Sequence, residues 1–299
     1  MISGLQANTP SFLASLSNLE NRLSKVNQEM TSGIRVNRAS DDPSAVAPII
    51  AYQGRIDYIK QIQANLTQAQ AEVQTADSAL QQASTLINQL ITLGAQGASS
   101  TSDGATRAIL AQKVQALEQQ LVSIANTAIN GHYTFGGDDL ATAPYAYSGS
   151  GPNGVVQNNT AANTQVLRDS DGNTITPRMT AQAIFDSPGA SIFKAAFDLA
   201  TALTSNNQAG IQTALNDVKT SADQLNAATT TYGNIETWIT QGLTTATSHV
   251  NNLTQALSSF KDADIAADAT ELSLDQTAMQ AAIAANGSLR TKSLFDYLG

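Results

Sequence analysis

The chain has 299 residues, 42% of them hydrophobic but only 5% aromatic, and it carries a formal charge of −9 with no cysteine. That acidity argues against a nucleic-acid partner, since no basic surface offsets it, and the missing thiols exclude disulfides and thiolate metal sites. The length allows a substantial core, yet an alanine-rich, aromatic-poor composition suits long helices whose backbones approach closely.

The opening stretch "MISGLQANTPSFLASL" has no basic residue before Arg22 and no uninterrupted apolar run, so no cleavable secretory signal is expected. No window approaches the ~18 apolar residues of a membrane span, and no membrane partner is expected. A place outside the cell would require another export route. After Leu5, the residues Phe12, Leu16, Leu19, Leu23, Val26 and Met30 follow alternating steps of four and three. This heptad spacing predicts a helix with a narrow apolar stripe aimed at a partner helix.

The stretch "MTSGIRVNRASDDPSAVA" breaks that pattern and crowds Arg35, Asn37, Arg38, Asp41 and Asp42 into one corner. Gly33 suits the position after a helix end, where a positive φ is wanted. Ser40 is expected to cap the next helix, with Asp41 and Asp42 in its first turn and Pro43 early enough to be tolerated. Arg35 and Arg38 are close enough to pair with those aspartates or with a neighbouring subunit.

A second heptad series runs Ile59, Ile62, Leu66, Ala69, Val73, Ala76, Leu80, Ala83, Ile87, Leu90. "GAQGASSTSDGAT" then predicts a turn, with Ser102 or Asp103 capping the helix of a third series, Leu110, Val114, Leu117, Leu121, Ile124, Ala128. At Gly131 the character changes. Residues 131–190 concentrate Gly, Asn, Thr and Tyr, and "TQVLR" and "NTITP" around "DSDGN" read as a hairpin. Helix resumes in "SPGASIFKAAFDLATAL", with Ser187 or Ser191 as its cap.

The fourth series is the longest: Ile211, Leu215, Val218, Ala222, Leu225, Thr229, Tyr232, Glu236, Ile239, Leu243, Ala246, Val250, Leu253, Leu257, Phe260. Thr229 and Glu236 are its polar lapses, and a kink is expected near Gly233. The phase slips at "FKDADIA", after which Ile265, Leu272, Met279 and Ile283 begin a last seam, with Leu294 and Leu298 near the end. These patterns predict a mainly α protein. It is read as an elongated antiparallel coiled-coil helical bundle with a small β-rich insertion at one end. The segments are 1–39 (N-terminal coiled-coil helix and corner), 40–130 (bundle), 131–190 (insertion), 191–262 (bundle) and 263–299 (C-terminal coiled-coil helix).

No enzyme is expected. His132 and His249 lie in different elements, neither has a metal-ligand partner four residues on, and there is no nucleophile elbow or phosphate loop. His132 is expected as a packed imidazole. "DSDGN" lacks the later acidic ligand of a calcium loop, and no cofactor or metal is expected.

The corner also carries a resemblance. "MTSGIRVNRASDDPSAVA" is similar to the N-terminal signature of the flagellin superfamily, a Ser-Gly-x-Arg-(Ile/Val)-Asn segment followed by a double aspartate. Pro43 after Asp41-Asp42, "NGHYTFGG" (130–137) and the ending "SLRTKSLFDYLG" resemble the branch of hook–filament junction proteins (hook-associated protein three). "SSFKDADIAADATELSLDQTAMQAA" reads equally like flagellin's own C-terminal segment.

The resemblance implies a structural subunit of the bacterial flagellum without catalysis or cofactor. It implies a homo-oligomeric ring between hook-associated protein one and flagellin, exported through the flagellar export apparatus with an export chaperone. The alternatives are a flagellin filament subunit or, further off, a secreted enzyme or another secreted coiled-coil protein. Terminal helices with one apolar edge are marginal alone in water, so they are expected to be largely disordered in the free chain and to order by packing on each other and on neighbouring subunits.

Overall fold

The computed structural model describes residues 2–151 and 153–295, with side chains described for 10–151 and 153–286. Leu5, Leu294 and Leu298 therefore lie outside the residues whose side chains are described. In chain order the helices are α1 (Ile2–Ser32), α2 (Pro43–Gly97), α3 (Gly104–Ala125), α4 (Ala181–Phe185), α5 (Ile192–Thr204), α6 (Gln208–Lys261) and α7 (Ile265–Phe295). Two compact units form, Met1–Tyr58 with Val250–Gly299, and Ile59–His249. The division falls inside α2 and α6. The protein is mainly α, with only small antiparallel sheets.

In the Ile59–His249 unit the heptad reading of α2 holds along its whole length. All ten residues from Ile59 to Leu90 in the second series are buried. α6 runs antiparallel beside α2, as the side-chain hydrogen bonds Gln63–Thr247 (3.0 Å) and Gln74–Glu236 (3.2 Å) show. α3 packs on α5. Leu66, Leu80, Leu90, Leu121, Phe193, Leu199 and Ile239 are fully buried between these helices.

Half of the expected α6 seam holds, with Ile211, Val218, Leu225, Tyr232, Ile239 and Ala246 buried, and the other half is shifted by one position. The full buried line is Ile211, Ala214, Val218, Ser221, Leu225, Ala228, Tyr232, Ile235, Ile239, Gly242 and Ala246. Leu215, Ala222, Thr229, Glu236 and Leu243 stand one position later, on a half-buried flank. The apparent polar lapses at Thr229 and Glu236 are thus flank positions. The true second row is small, which lets α6 approach its neighbours closely. α6 also runs unbroken through Gly233.

The turn after α2 is capped by Asp103, whose Oδ1 accepts from Thr106 N at 2.8 Å. Ser191, not Ser187, caps α5 by accepting from Lys194 N at 3.2 Å. The β-rich segment is a chain of four two-stranded antiparallel hairpins. They are β1 (Ala128–Ile129) with β2 (His132–Tyr133), β3 (Tyr145–Tyr147) with β4 (Val155–Gln157), β5 (Leu167–Arg168) with β6 (Thr174–Ile175), and β7 (Asp186–Ser187) with β8 (Ala190–Ser191). The "DSDGN" turn closes the third, with Asp169 accepting from Asp171 N, Asn173 N and Asn173 Nδ2 at 2.8–2.9 Å.

This segment lies alongside α2 and α6 where α3 has ended. Arg178 pairs with Glu72 of α2 at 2.7 Å, and Tyr232 Oη of α6 accepts from Met179 N at 3.1 Å. Phe135, from "NGHYTFGG", is buried edge-on against Phe185 and Tyr232 at 5.6 and 6.3 Å, geometry that aromatic pairs favour. The glycines after it are required because a Cβ at Gly136 would collide with the Asp139 carbonyl. His132, expected to be packed, is exposed instead. It sits at the β1–β2 turn and points away from the core that Phe135 enters.

Candidate functional site

The polar corner joins segments more than two hundred residues apart. α1 stops at Ser32, and Gly33 takes φ +68° while its N–H bonds the Glu29 carbonyl at 2.7 Å. The chain then pairs with the α6–α7 junction. Ile34 forms an antiparallel bridge with Asp262, Arg35 N donates to Lys261 O at 2.8 Å, and Ala263 N donates to Gly33 O at 3.0 Å. The Arg35 guanidinium spans the corner, giving Nη1 to Asp42 Oδ2 at 3.0 Å and Nη2 to Phe260 O at 2.8 Å. Tyr52 packs against Phe260 at 5.8 Å between ring centres.

The helix cap falls on Asp42 rather than on Ser40. Asp42 Oδ1 accepts from Ser44 N at 3.1 Å, Ser44 Oγ at 2.5 Å and Ala45 N at 3.2 Å. Pro43 is then the first helical residue, where its missing N–H costs nothing. The Ser44 hydroxyl, then Arg35, hold the Asp42 carboxyl down to about 2. Asp41 braces the loop, its Oδ2 accepting from Asn37 N at 3.0 Å and Arg38 N at 2.7 Å. Asn37 donates its amide to Ile34 O at 2.8 Å. The Arg38 side chain is exposed beside them.

From this corner α1 and α7 pack together, antiparallel, with Arg22 bonded to Asp275 and 3.6 Å from Glu271. On α1, Val26 is buried and Phe12, Leu16, Leu19, Leu23 and Met30 are half-buried. On α7, Leu272 and Met279 are half-buried, but Ile265 and Ile283 are exposed at 46% and 56%. The α7 positions that turn inward are instead Asp268 and Asp275, both buried. Glu29 is the buried acid of α1, 3.5 Å from Lys25. The pair is therefore a thin, partly polar seam whose apolar edges stay half open.

Two other charged residues escaped the sequence reading. Arg107 is buried at the α2–α3 turn, where Nε donates to Gly97 O at 2.9 Å and the guanidinium also reaches Asn206 and Gln208. It satisfies a carbonyl at the end of α2. Glu118 is fully buried in α3, and among the described residues neither carboxylate oxygen has a hydrogen-bond partner. Desolvation pushes its carboxyl up to about 7. Neither belongs to the corner or to the α1–α7 seam.

Residues 5–139 match the family described as the bacterial flagellin N-terminal helical region. The match is to the N-terminal part of the chain and takes in α1, the corner, α2 and α3. Three solved structures resemble this chain in fold. A Vibrio parahaemolyticus protein provisionally assigned as a flagellar hook-associated protein is 19% identical, with a TM-score of 0.67 over 74% of this chain and 100% of that one. Flagellar hook-associated protein-3 of Legionella pneumophila is 14% identical, with a TM-score of 0.62 over 71% and 98%. FlgL of Bacillus cereus is 18% identical, with a TM-score of 0.57 over 68% and 97%. No curated protein matches the chain by sequence.

Proposed function

We propose that this chain is a structural subunit of the bacterial flagellum, forming the junction ring between hook-associated protein one and the flagellin filament. The observation that carries the reading is the corner. Arg35 ties the end of α1, the start of α2 and the α6–α7 junction together, within a matched flagellin N-terminal region. The half-open seams of α1 and α7 support a self-assembling ring, because each apolar residue still facing water gains roughly 1.5–3 kcal/mol when a neighbour buries it fully.

On this reading the chain is exported to the flagellum by the flagellar export apparatus, accompanied by an export chaperone. Its role is mechanical rather than catalytic. The terminal seam residues (Leu5, Phe12, Leu16, Leu19, Leu23, Val26, Met30, Ile265, Leu272, Met279, Ile283, Leu294, Leu298) supply the contacts between subunits. The corner residues Gly33 to Pro43 set the angle at which those helices leave.

Electron micrographs of flagella from a strain lacking this chain test the proposal. Hooks that shed flagellin into the medium are expected. Hooks bearing normal filaments would exclude the junction role, and complete absence of filament subunits would favour a flagellin.

A further inference from the structure

We infer that the first turns of α2 carry a docking notch for α7 of a second copy of this chain, centred on Gly54; this rests on the structural-subunit reading above. Among the described residues, the three most exposed large apolar side chains are Leu274, Ile50 and Tyr58, at 65%, 64% and 63%. Two of them, Ile50 and Tyr58, stand one turn before and one turn after Gly54 on α2. The third stands on α7.

Gly54 has no explanation inside the chain. A glycine in a helix interior is about 1 kcal/mol worse than alanine; the fold accounts for it at Gly94 and Gly242, while Gly54 shares an open surround with Gly233 of α6. A Cβ would come 2.9 Å from Leu215 at Gly94 and 3.2 Å from Leu66 at Gly242, whereas at Gly54 it would meet nothing within 4 Å. What distinguishes Gly54 is its setting, since it lies between the exposed Ile50 and Tyr58 and leaves the backbone open to close approach by another body. Ala47, Ala51, Gly54 and Tyr58 follow steps of four, three and four and are all exposed. They form a second heptad line, small in the middle and walled by Ile50 and Tyr58.

α7 presents the matching surface. Ala267, Glu271, Leu274, Ala278 and Ala281 repeat at heptad spacing and are all exposed, one position before the line that faces α1. Leu274 is the only large apolar residue on that line, a knob suited to one hole. Charge favours the same match. Residues 262–286 contain five acidic and no basic residues, while Arg55 stands exposed next to Gly54, and Arg38 is exposed in the corner before α2. With Leu274 seated at Gly54, the acidic α7 would meet the exposed Arg55.

Because the chain has no cysteine, the contact can be trapped. Gly54→Cys, Leu274→Cys and the double variant are each expressed in place of the native chain, and isolated flagella are oxidised and run on a non-reducing gel. The double variant should give a ladder of linked oligomers, and the single variants none. Flagella that contain the double variant without linked species overturn the notch while leaving the subunit reading intact. A chain absent from flagella overturns that reading and the notch with it. Gly54→Leu supplies an independent readout. It should raise the melting temperature of the free chain, since the site is open and leucine favours helix, yet reduce incorporation into flagella at least tenfold. A raised melting temperature with normal incorporation would refute the notch. Lost incorporation without any 54–274 link would assign the face to a different protein and refute the second copy as occupant.

Discussion

The two units of this chain solve the same problem with different materials. The Ile59–His249 unit buries unbroken heptad lines from α2 and α6 beneath α3, α5 and a set of interlocked aromatic rings. Among its described residues the Met1–Tyr58/Val250–Gly299 unit buries only Val26, Val36, Ala45 and Ile56 of its apolar side chains and sets Glu29, Asp268 and Asp275 on its inner surface. A residue closed on all sides repays its ordering entropy within the chain. One that is half open repays it fully only when a neighbour arrives. The contrast separates a part with a closed apolar core from a part that, on the proposed function, completes its burial on assembly.

Phe193→Ala should break this contrast most severely. A fully buried aromatic in the larger unit should cost about 3–5 kcal/mol, read as a large fall in the main calorimetric transition. Leu23→Asp, on the half-buried seam, should leave that transition in place and abolish incorporation into flagella. A melted chain in circular dichroism would show that the units are not separable.

Glu118→Gln sharpens the same comparison through pH. The folded chain holds this proton up to about pH 7 against an ordinary value of 4.5, so native stability falls as pH rises from about 4.5 through about 7. The variant should gain up to about 3 kcal/mol above that range and nothing below pH 4.5, measured as melting temperature against pH. Arg35→Ala removes two hydrogen bonds from the corner and should cost about 1–2 kcal/mol, confined to the smaller unit and visible as faster amide exchange at residues 33–36 and 261–263. Least of all, acid should loosen the corner through Asp42. Its folded value is depressed from 3.8 to about 2, so its support is full above about pH 4 and is lost as pH falls through about 2. Asp42→Asn should remove that acid transition.

The legible parts of the sequence were those where burial is apolar and long. The α2 series was readable residue by residue because nothing polar interrupts it. In α6 the row Ile211, Val218, Leu225, Tyr232, Ile239 and Ala246 was legible, but the second row lies one position earlier than expected, because Leu215, Ala222 and Leu243 make an apolar flank that alternates as regularly as the buried Ala214, Ala228 and Gly242. The inner line of α7 was hidden by Asp268 and Asp275, polar residues at positions where periodicity looks for leucine. At the corner, Ser40 and Asp42 are equally good caps by residue type. Pro43 decides between them, since a proline at the first helical position puts the cap just before it. The hairpins and α4 were too short for any period to show, and only the "DSDGN" turn announced its own strands. Glu118 left no trace, because its burial depends on the distant Gly154.

The bridge between Ile34 and Asp262 also constrains the order of events in folding. Closing so long a loop in a free chain costs about 5 kcal/mol beyond the fixed term, more than one backbone bridge and one guanidinium return. Once Gln63 and Thr247 are side by side, the ends still to be joined are short arms, and most of that entropy has already been lost. The terminal pair is therefore expected to close last, as the slowest phase of refolding followed by amide-exchange labelling at residues 33–36 and 261–263.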